Sequence, residues 1–269
     1  ATLRSLSPDH TLVLVNGKRR HRSAMLGGNG AQSADLAQIP SYAIKQIEVL
    51  RDGASAQYGS DAIAGVINII LDDQAGFNAF AQAGQYYEGD GEQYRLGVQQ
   101  GFVFDNGYLN LSGEYTDAQP TSRSRQRADA IALQEAFPEL NVPNPVQNWG
   151  QPERQAYRFA LNGAYDLDGS EAYVFSTSGF GSRVTDFNWR NPLTTSAYGE
   201  SAIDPDYDLS ATFPAGFSPR FGQDDNDFAL TGGYRSNNDG RFSYDLSAGY
   251  GRNQIEYFMY NSINASLGS

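Results

Sequence analysis

The sequence predicts a mainly β protein in two parts: a small α+β unit over residues 1–74, then part of an antiparallel transmembrane β-sheet over residues 75–269. Three observations carry this. From about Phe77 the apolar residues recur at every second position, the period of a strand with one apolar face. The connections between these segments alternate between tight and long. Before about Asp72 the apolar residues form short continuous runs instead, the pattern of buried strands.

In the first part, Thr11–Asn16 (TLVLVN) is a strand ended by the turn dipeptide Asn16-Gly17. A basic cluster follows: Lys18, Arg19, Arg20, His21 and Arg22. Leu26 to Gln32 carries Gly27, Gly28 and Gly30 and reads as a flexible stretch. Pro40 opens a helical turn through Ile44, a position where its missing N–H costs nothing. Ile47–Leu50 is a second strand closed by Asp52-Gly53, and Ala54–Tyr58 is one helical turn. Gly65–Leu71 is a third strand, apolar on both faces except for Asn68, whose amide needs an internal partner.

In the second part, Tyr94, Leu96 and Val98 alternate with Arg95, Gly97 and Gln99. Tyr157, Phe159, Leu161, Gly163 and Tyr165 alternate with Arg158, Ala160, Asn162 and Ala164. Seven strands are expected: Phe77–Tyr87, Gln93–Phe104, Gly107–Asp117, Arg154–Leu167, Glu171–Arg190, Asp227–Ser236 and Arg241–Asn264. The connections Phe104–Gly107, Asp166–Ser170 and Asn237–Gly240 are tight. Ala118–Pro152, with a helix over Arg127–Phe137, and Asn191–Asp224 are long. If the first strand runs outward, every tight turn falls on one side, as in outer-membrane barrels with short periplasmic turns. A soluble β-sandwich explains the period equally well, but not the alternation of loop lengths or the outward tyrosines.

Composition narrows the class. Hydrophobic residues make up 40%, mean hydropathy is -0.51, and no run approaches a spanning helix of roughly 18 apolar residues. Seventeen Tyr, 15 Phe and 29 Gly suit a barrel with aromatic girdles. The absence of cysteine excludes disulfides and thiolate metal sites. A formal net charge of -12 disfavours nucleic acid, whose phosphates need Lys and Arg. Ala1–His10 has no apolar core, so an export signal is expected upstream of Ala1. His10 and His21 are the only histidines, and no catalytic constellation, P-loop, dinucleotide fingerprint or zinc motif appears. No enzyme activity, cofactor or metal is expected.

Three pieces resemble the plug of TonB-dependent outer-membrane receptors, in order and spacing. They are Val13-Leu14-Val15-Asn16-Gly17 with its basic tail, Asp35-Leu36-Ala37-Gln38-Ile39-Pro40, and Ile47 through Leu71 (IEVLRDGASAQYGSDAIAGVINIIL). The resemblance implies a plug inside a 22-stranded antiparallel transmembrane β-barrel whose lumen would otherwise be open. It implies a bacterial outer-membrane location, contact with outer-membrane lipid, TonB and its inner-membrane energising complex as partners, and a small-molecule or oligomeric ligand. It also implies that the chain lacks the start of the plug, the TonB-binding segment and most of the barrel.

The resemblance places His21–Ala31 at the plug apex, with Arg22, Ser23 and Asn29 as ligand-binding candidates. Glu48 and Arg51 are expected to gate the plug against the barrel, with Glu114 as a partner for Arg51, each exposed pair being worth about 1 kcal/mol. In the long loops, Trp149, Trp189 and Tyr198, with Tyr207, are candidates to stack on a flat ligand. Asp204, Asp206, Asp208, Asp224 and Asp225 are a weak calcium pattern, lacking the glycine and terminal Glu of an EF-hand loop. The expected function is energised uptake of a siderophore, cobalamin, saccharide or peptide. A passive barrel or adhesin, and a soluble β-rich binding module, are the alternatives.

Overall fold

The computed structural model describes residues 2–51, 55–201, 203–236 and 242–264. The N-terminal unit is a mixed sheet of β1 (Thr11–Val15), β2 (Lys18–Arg19), β3 (Ile44–Leu50) and β4 (Gly65–Leu71), in the order β2-β1-β4-β3. β1 and β4 run parallel at its centre. All of β1 is buried, which explains its unbroken apolar sequence. Asn16 (φ 48°) and Gly17 (φ 75°) both take positive φ, so the β1–β2 hairpin closes on the two-residue turn that Asn-Gly favours. A single helical turn, α1 (Ser55–Tyr58), leads toward β4.

One face of this sheet carries Leu12, Leu14 and Val66 against Ala62. The other carries Val15, Ile67, Ile69 and Leu71 with Ile39 and Ala43, and its core continues into Ala160 and Phe175 of the second sheet. The small unit therefore shares a hydrophobic core with the wall beside it.

The wall is one antiparallel sheet in sequence order: β5 (Gly76–Gly84), β6 (Gln93–Phe104), β7 (Gly107–Ala118), β8 (Glu153–Asp166), β9 (Ser170–Asp186), β10 (Arg220–Ser236) and β11 (Asp245–Tyr260). Its inner face buries Gln99, Asn110, Glu114, Asn162, Thr177, Asp225 and Asp227 under the N-terminal unit. Its outer face exposes Leu96, Val98, Tyr157, Phe159, Phe180, Phe228, Leu230 and Tyr250. An apolar outer band over a polar interior is the reverse of a water-soluble sheet and matches a wall facing hydrocarbon.

Several strand limits differ from those expected. β10 begins at Arg220, not Asp227, and pairs with β9 from that residue. Along Arg220–Asn226 the outward positions are Arg220, Gly222, Asp224 and Asn226, so the hydrogen-bond ladder continues above the apolar band after the apolar signal has stopped. β5 ends at Gly84, short of Tyr87, because Gly89 N–H turns back to Tyr86 O at 3.0 Å. β9 ends at Asp186 rather than Arg190, with a single further bridge from Arg190 to Phe217. β11 spans Asp245–Tyr260 inside the expected Arg241–Asn264. The expected turns at Asp52-Gly53 and Asn237–Gly240 lie outside the described residues.

The long loops pack on one another at one end of the wall. α2 (Ala128–Ala136) contributes Ala130 and Leu133 to a small core with Val146 and Trp189. Arg123 pairs with Asp90 at 2.6 Å and Glu88 at 3.0 Å, tying the first two loops together. A further turn, α3 (Leu209–Thr212), is capped by Asp208, whose carboxylate accepts from Ser210 N at 3.0 Å.

Candidate functional site

The polar inner face of the wall grips the plug-like unit at four places. The first is Asp227 on β10. The chain leaving β2 is held by a bond from Arg20 N to Val13 O at 2.9 Å, which aims Arg20 and His21 at the wall. Arg20 pairs with Asp227 and donates to Thr177. His21 Nε2 lies 2.8 Å from the other Asp227 oxygen. The Arg20 and Asp227 side chains are only 3% and 2% exposed, so this ion pair is shielded from water and each ion needs the other. Beside it lies a cavity of about 210 Å³ lined by Lys18, Arg20, His21, Thr231 and Tyr250.

The second is Asp225, two residues earlier on the same face. It accepts from Gln38 at 2.8 Å and Arg183 at 3.1 Å. The Asp35–Pro40 segment shapes this contact. Asp35 caps a short turn over Leu36–Gln38 through Ala37 N at 2.9 Å and also accepts from Gln38 Nε2 at 3.1 Å. The wall makes room with glycines. A Cβ at Gly179 would overlap Gln38, and one at Gly251 would overlap the His21 ring.

The third is Glu114 on β7. One carboxylate oxygen accepts from Ser41 Oγ at 2.6 Å and Ser41 N at 3.1 Å; the other faces Arg158 at 3.2 Å and Arg95 at 3.4 Å. Arg158 also donates to Ala37 O, so it bridges the wall carboxylate and the plug backbone. Tyr42 stacks on Phe80 of β5 with centroids 4.5 Å apart.

The fourth lies where the plug chain enters β5. Asn16 donates to Asn162 at 3.0 Å and accepts from Leu71 N at 2.9 Å. Asn162 donates to Asp72 O at 3.0 Å, and Gln99 donates to the Asp72 side chain.

The candidates read from the sequence distribute unevenly over this frame. Arg22 pairs with Asp61 of the plug itself at 3.2 Å. Asp61 is held below the usual carboxylate value: burial pushes it up, but the bonds from Arg19 and Arg22 prevail. Ser23 is buried and donates to Asn253 of β11 at 3.2 Å. Asn29 is exposed in a tight turn at φ 61°. Glu48 is exposed and accepts from Asn68 at 2.9 Å, giving that amide its partner. Arg51 is exposed at the end of β3, and the oxygens of Glu114 are taken by Ser41, Arg95 and Arg158 rather than by Arg51.

Of the loop aromatics, Trp149 is 51% exposed. Trp189 is 5% exposed, packed in the loop core, with Arg127 over its ring at 5.9 Å. Its expected role as a stacking platform is corrected by that burial. Tyr198 is half-buried and donates to Phe213 O at 2.8 Å; burial and then the neighbouring Tyr207 push its phenol up to about 12. The aspartates weighed for calcium are dispersed: Asp208 caps α3, Asp224 points outward and Asp225 holds Gln38.

Of the residues that make the interface, Arg20 and His21 stood out only as part of a basic cluster, Gln38 only within a plug motif and Asp225 only as a weak calcium candidate, while Ser41, Asp227 and Asn253 were not singled out as site residues. The signal for the two aspartates was present, since Gln223, Asp225 and Asp227 share one face once the strand is started at Arg220.

Comparison with known proteins agrees with this architecture. Residues 1–66 match the TonB-dependent Receptor Plug Domain family. The vitamin B12 transporter BtuB of Vibrio vulnificus is 54% identical over 67 residues, 25% of this chain and 10% of that protein. The siderophore receptor PirA of Acinetobacter baumannii superposes with a TM-score of 0.57 at 20% identity, over 93% of this chain and 33% of PirA, a likeness of fold. The chain thus spans about a tenth of that curated relative's length and a third of that solved structure's. With residues 1–66 matching the plug domain and seated against an antiparallel wall whose apolar side faces outward, the chain is similar to a fragment of a TonB-dependent outer-membrane receptor.

Proposed function

We propose that this chain is the plug and part of the wall of a receptor that imports a ligand across the outer membrane, with TonB supplying the energy. The observation that carries this is the set of plug–wall contacts. A plug meant only to seal would be served by apolar packing, which avoids desolvating ions. Here much of the contact runs through carboxylates and amides: Asp227, Asp225, Glu114 and Asn162. Hydrogen bonds of this kind exchange for water bonds at a modest net difference, about 0.5–1.5 kcal/mol each. The plug is held firmly at rest, yet a directed pull has discrete contacts to break.

Ligand enters from the side of the long loops, with the exposed Trp149 and the exposed Asn29 turn of the plug as its first candidate contacts. The named relatives take vitamin B12 and siderophores, so those two classes are the first to test. Nothing among the described residues selects one over the other.

The test is uptake of radiolabelled cyanocobalamin and a panel of radiolabelled ferric siderophores by cells carrying the intact receptor, with and without TonB. Uptake of one probe that disappears with TonB while surface binding remains supports the reading. Uptake indifferent to TonB refutes it in favour of a passive barrel.

A further inference from the structure

A single wall residue, Asn253 on β11, joins the apical loop of the plug to the buried lock at Asp227. Residues 23–33 form a closed loop. Ser23 N–H donates to Ser33 O at 2.8 Å, Gln32 donates to Ser23 O at 3.3 Å, and Gly27 N–H donates to Ala31 O at 2.8 Å. The tip is bare, with Met25 52% and Leu26 64% exposed. The base is anchored on the wall, because Asn253 Oδ1 accepts from Ala24 N at 2.7 Å and from Ser23 Oγ at 3.2 Å.

The other end of the same amide reaches Asp227. Asn253 Nδ2 donates to Asp227 Oδ2 at 2.9 Å, and Asn253 is the cross-strand partner of Asp227 in the ladder. An ionised carboxylate only accepts, and a backbone N–H only donates. With Asp227 on one side and Ala24 N–H on the other, the amide has one workable orientation. Turned over, it would set oxygen against oxygen and N–H against N–H. The oxygen of Asp227 that orients Asn253 also takes His21 Nε2 at 2.8 Å. The lock and the loop therefore share one carboxylate oxygen.

We propose that Asn253 is a positioning residue that couples the apical loop to the Arg20–His21–Asp227 lock, so that the loop keeps its place only while the lock is closed, and displacing the loop loosens the lock. This deepens the import reading and rests on it for its purpose. The coupling itself needs neither ligand nor TonB.

The described chain has no cysteine, so a thiol introduced into it is labelled with any cysteine elsewhere in the receptor replaced by Ser. A spin label is attached at Asn29→Cys on the loop, with Ser60→Cys elsewhere on the plug as control, in the intact receptor in outer-membrane vesicles. Asn253→Ala removes the anchor. Asp227→Asn makes no change to any group that touches the loop, but puts an N–H where the oxygen met Asn253. Both are expected to raise the mobile fraction at position 29 roughly three- to tenfold, the scale of one lost hydrogen bond, and to leave position 60 unchanged. If Asp227→Asn leaves position 29 as in the wild type, the coupling is refuted. If both labels loosen equally, the plug has moved as a body, and the specific role of Asn253 is refuted too. A receptor that fails every uptake assay but shows this pattern would overturn the import reading and leave the coupling intact.

Discussion

Replacing Glu114 by Ala removes the wall carboxylate that holds Ser41 of the plug and is buried beneath it together with Arg158. Glu114 and Arg158 have side chains 5% and 12% exposed, whereas Arg95 is 37% exposed at 3.4 Å. Exposed pairs contribute about 0–1 kcal/mol, so Arg95 adds little. Removing one partner of a buried pair costs about 3–5 kcal/mol, because the other ion is left unpaired. Arg158 keeps one bond, to Ala37 O, and the lumen admits water, so the lower end applies: about 3 kcal/mol, roughly a hundredfold in the docking equilibrium. Ser41 loses both of its bonds to Glu114 in the same change. The assay is conductance of the intact receptor in a planar bilayer during a urea titration, since a released plug leaves an open pore. Glu114→Ala should open channels at clearly lower urea, Glu114→Gln at an intermediate value, and Arg95→Ala close to wild type. An unchanged midpoint for Glu114→Ala, or a larger shift for Arg95→Ala, would refute this ranking.

Three further outcomes are expected. Gly179→Val drives a side chain into the space of Gln38 and should weaken docking by about 1–3 kcal/mol, read in the same titration. Trp189→Ala should unfold the loop core, at about 3–5 kcal/mol, and expose it to protease, while Trp149→Ala should leave the loops intact and change only ligand affinity. Asp90 is held below its usual value first by Arg123 and then by the Ser122 amide. A depressed value stabilises the loops above the ordinary Asp range, and this is lost as pH falls through the folded value. The protection of Ser122 N–H against exchange, relative to its intrinsic rate at each pH, should therefore fall on acidification below that range, and Asp90→Asn should remove the dependence.

The plug was legible because its strands announce themselves. Thr11–Val15 and Gly65–Leu71 are continuous apolar runs bounded by turn residues, and both appear where expected. The seven wall strands followed from period 2, with Gln93–Phe104 matched at both ends. The missed part of β10 has a physical cause: above the lipid the ladder persists while the outward side chains become Asp224 and Asn226. The lock was missed for the same reason, since Asp225 and Asp227 sit at that boundary. The wall partners of His21 and Gln38 were not legible, because they lie on a strand 206 and 187 residues away in the chain. Trp189 carried no sequence sign that the loop would fold over it.

The most direct test of a plug that must move is to tether it. A Cβ placed at Gly179 would lie 3.2 Å from Gln38 Cβ, slightly inside the roughly 3.5–4.5 Å of a disulfide and within reach of a small shift. The pair Gln38→Cys and Gly179→Cys removes the clash along with the contact, in a chain that has no other cysteine. Uptake of whichever probe proves TonB-dependent should stop in the oxidised receptor, with surface binding retained, and return on reduction. Undiminished uptake through the oxidised receptor would contradict a plug that has to leave this wall.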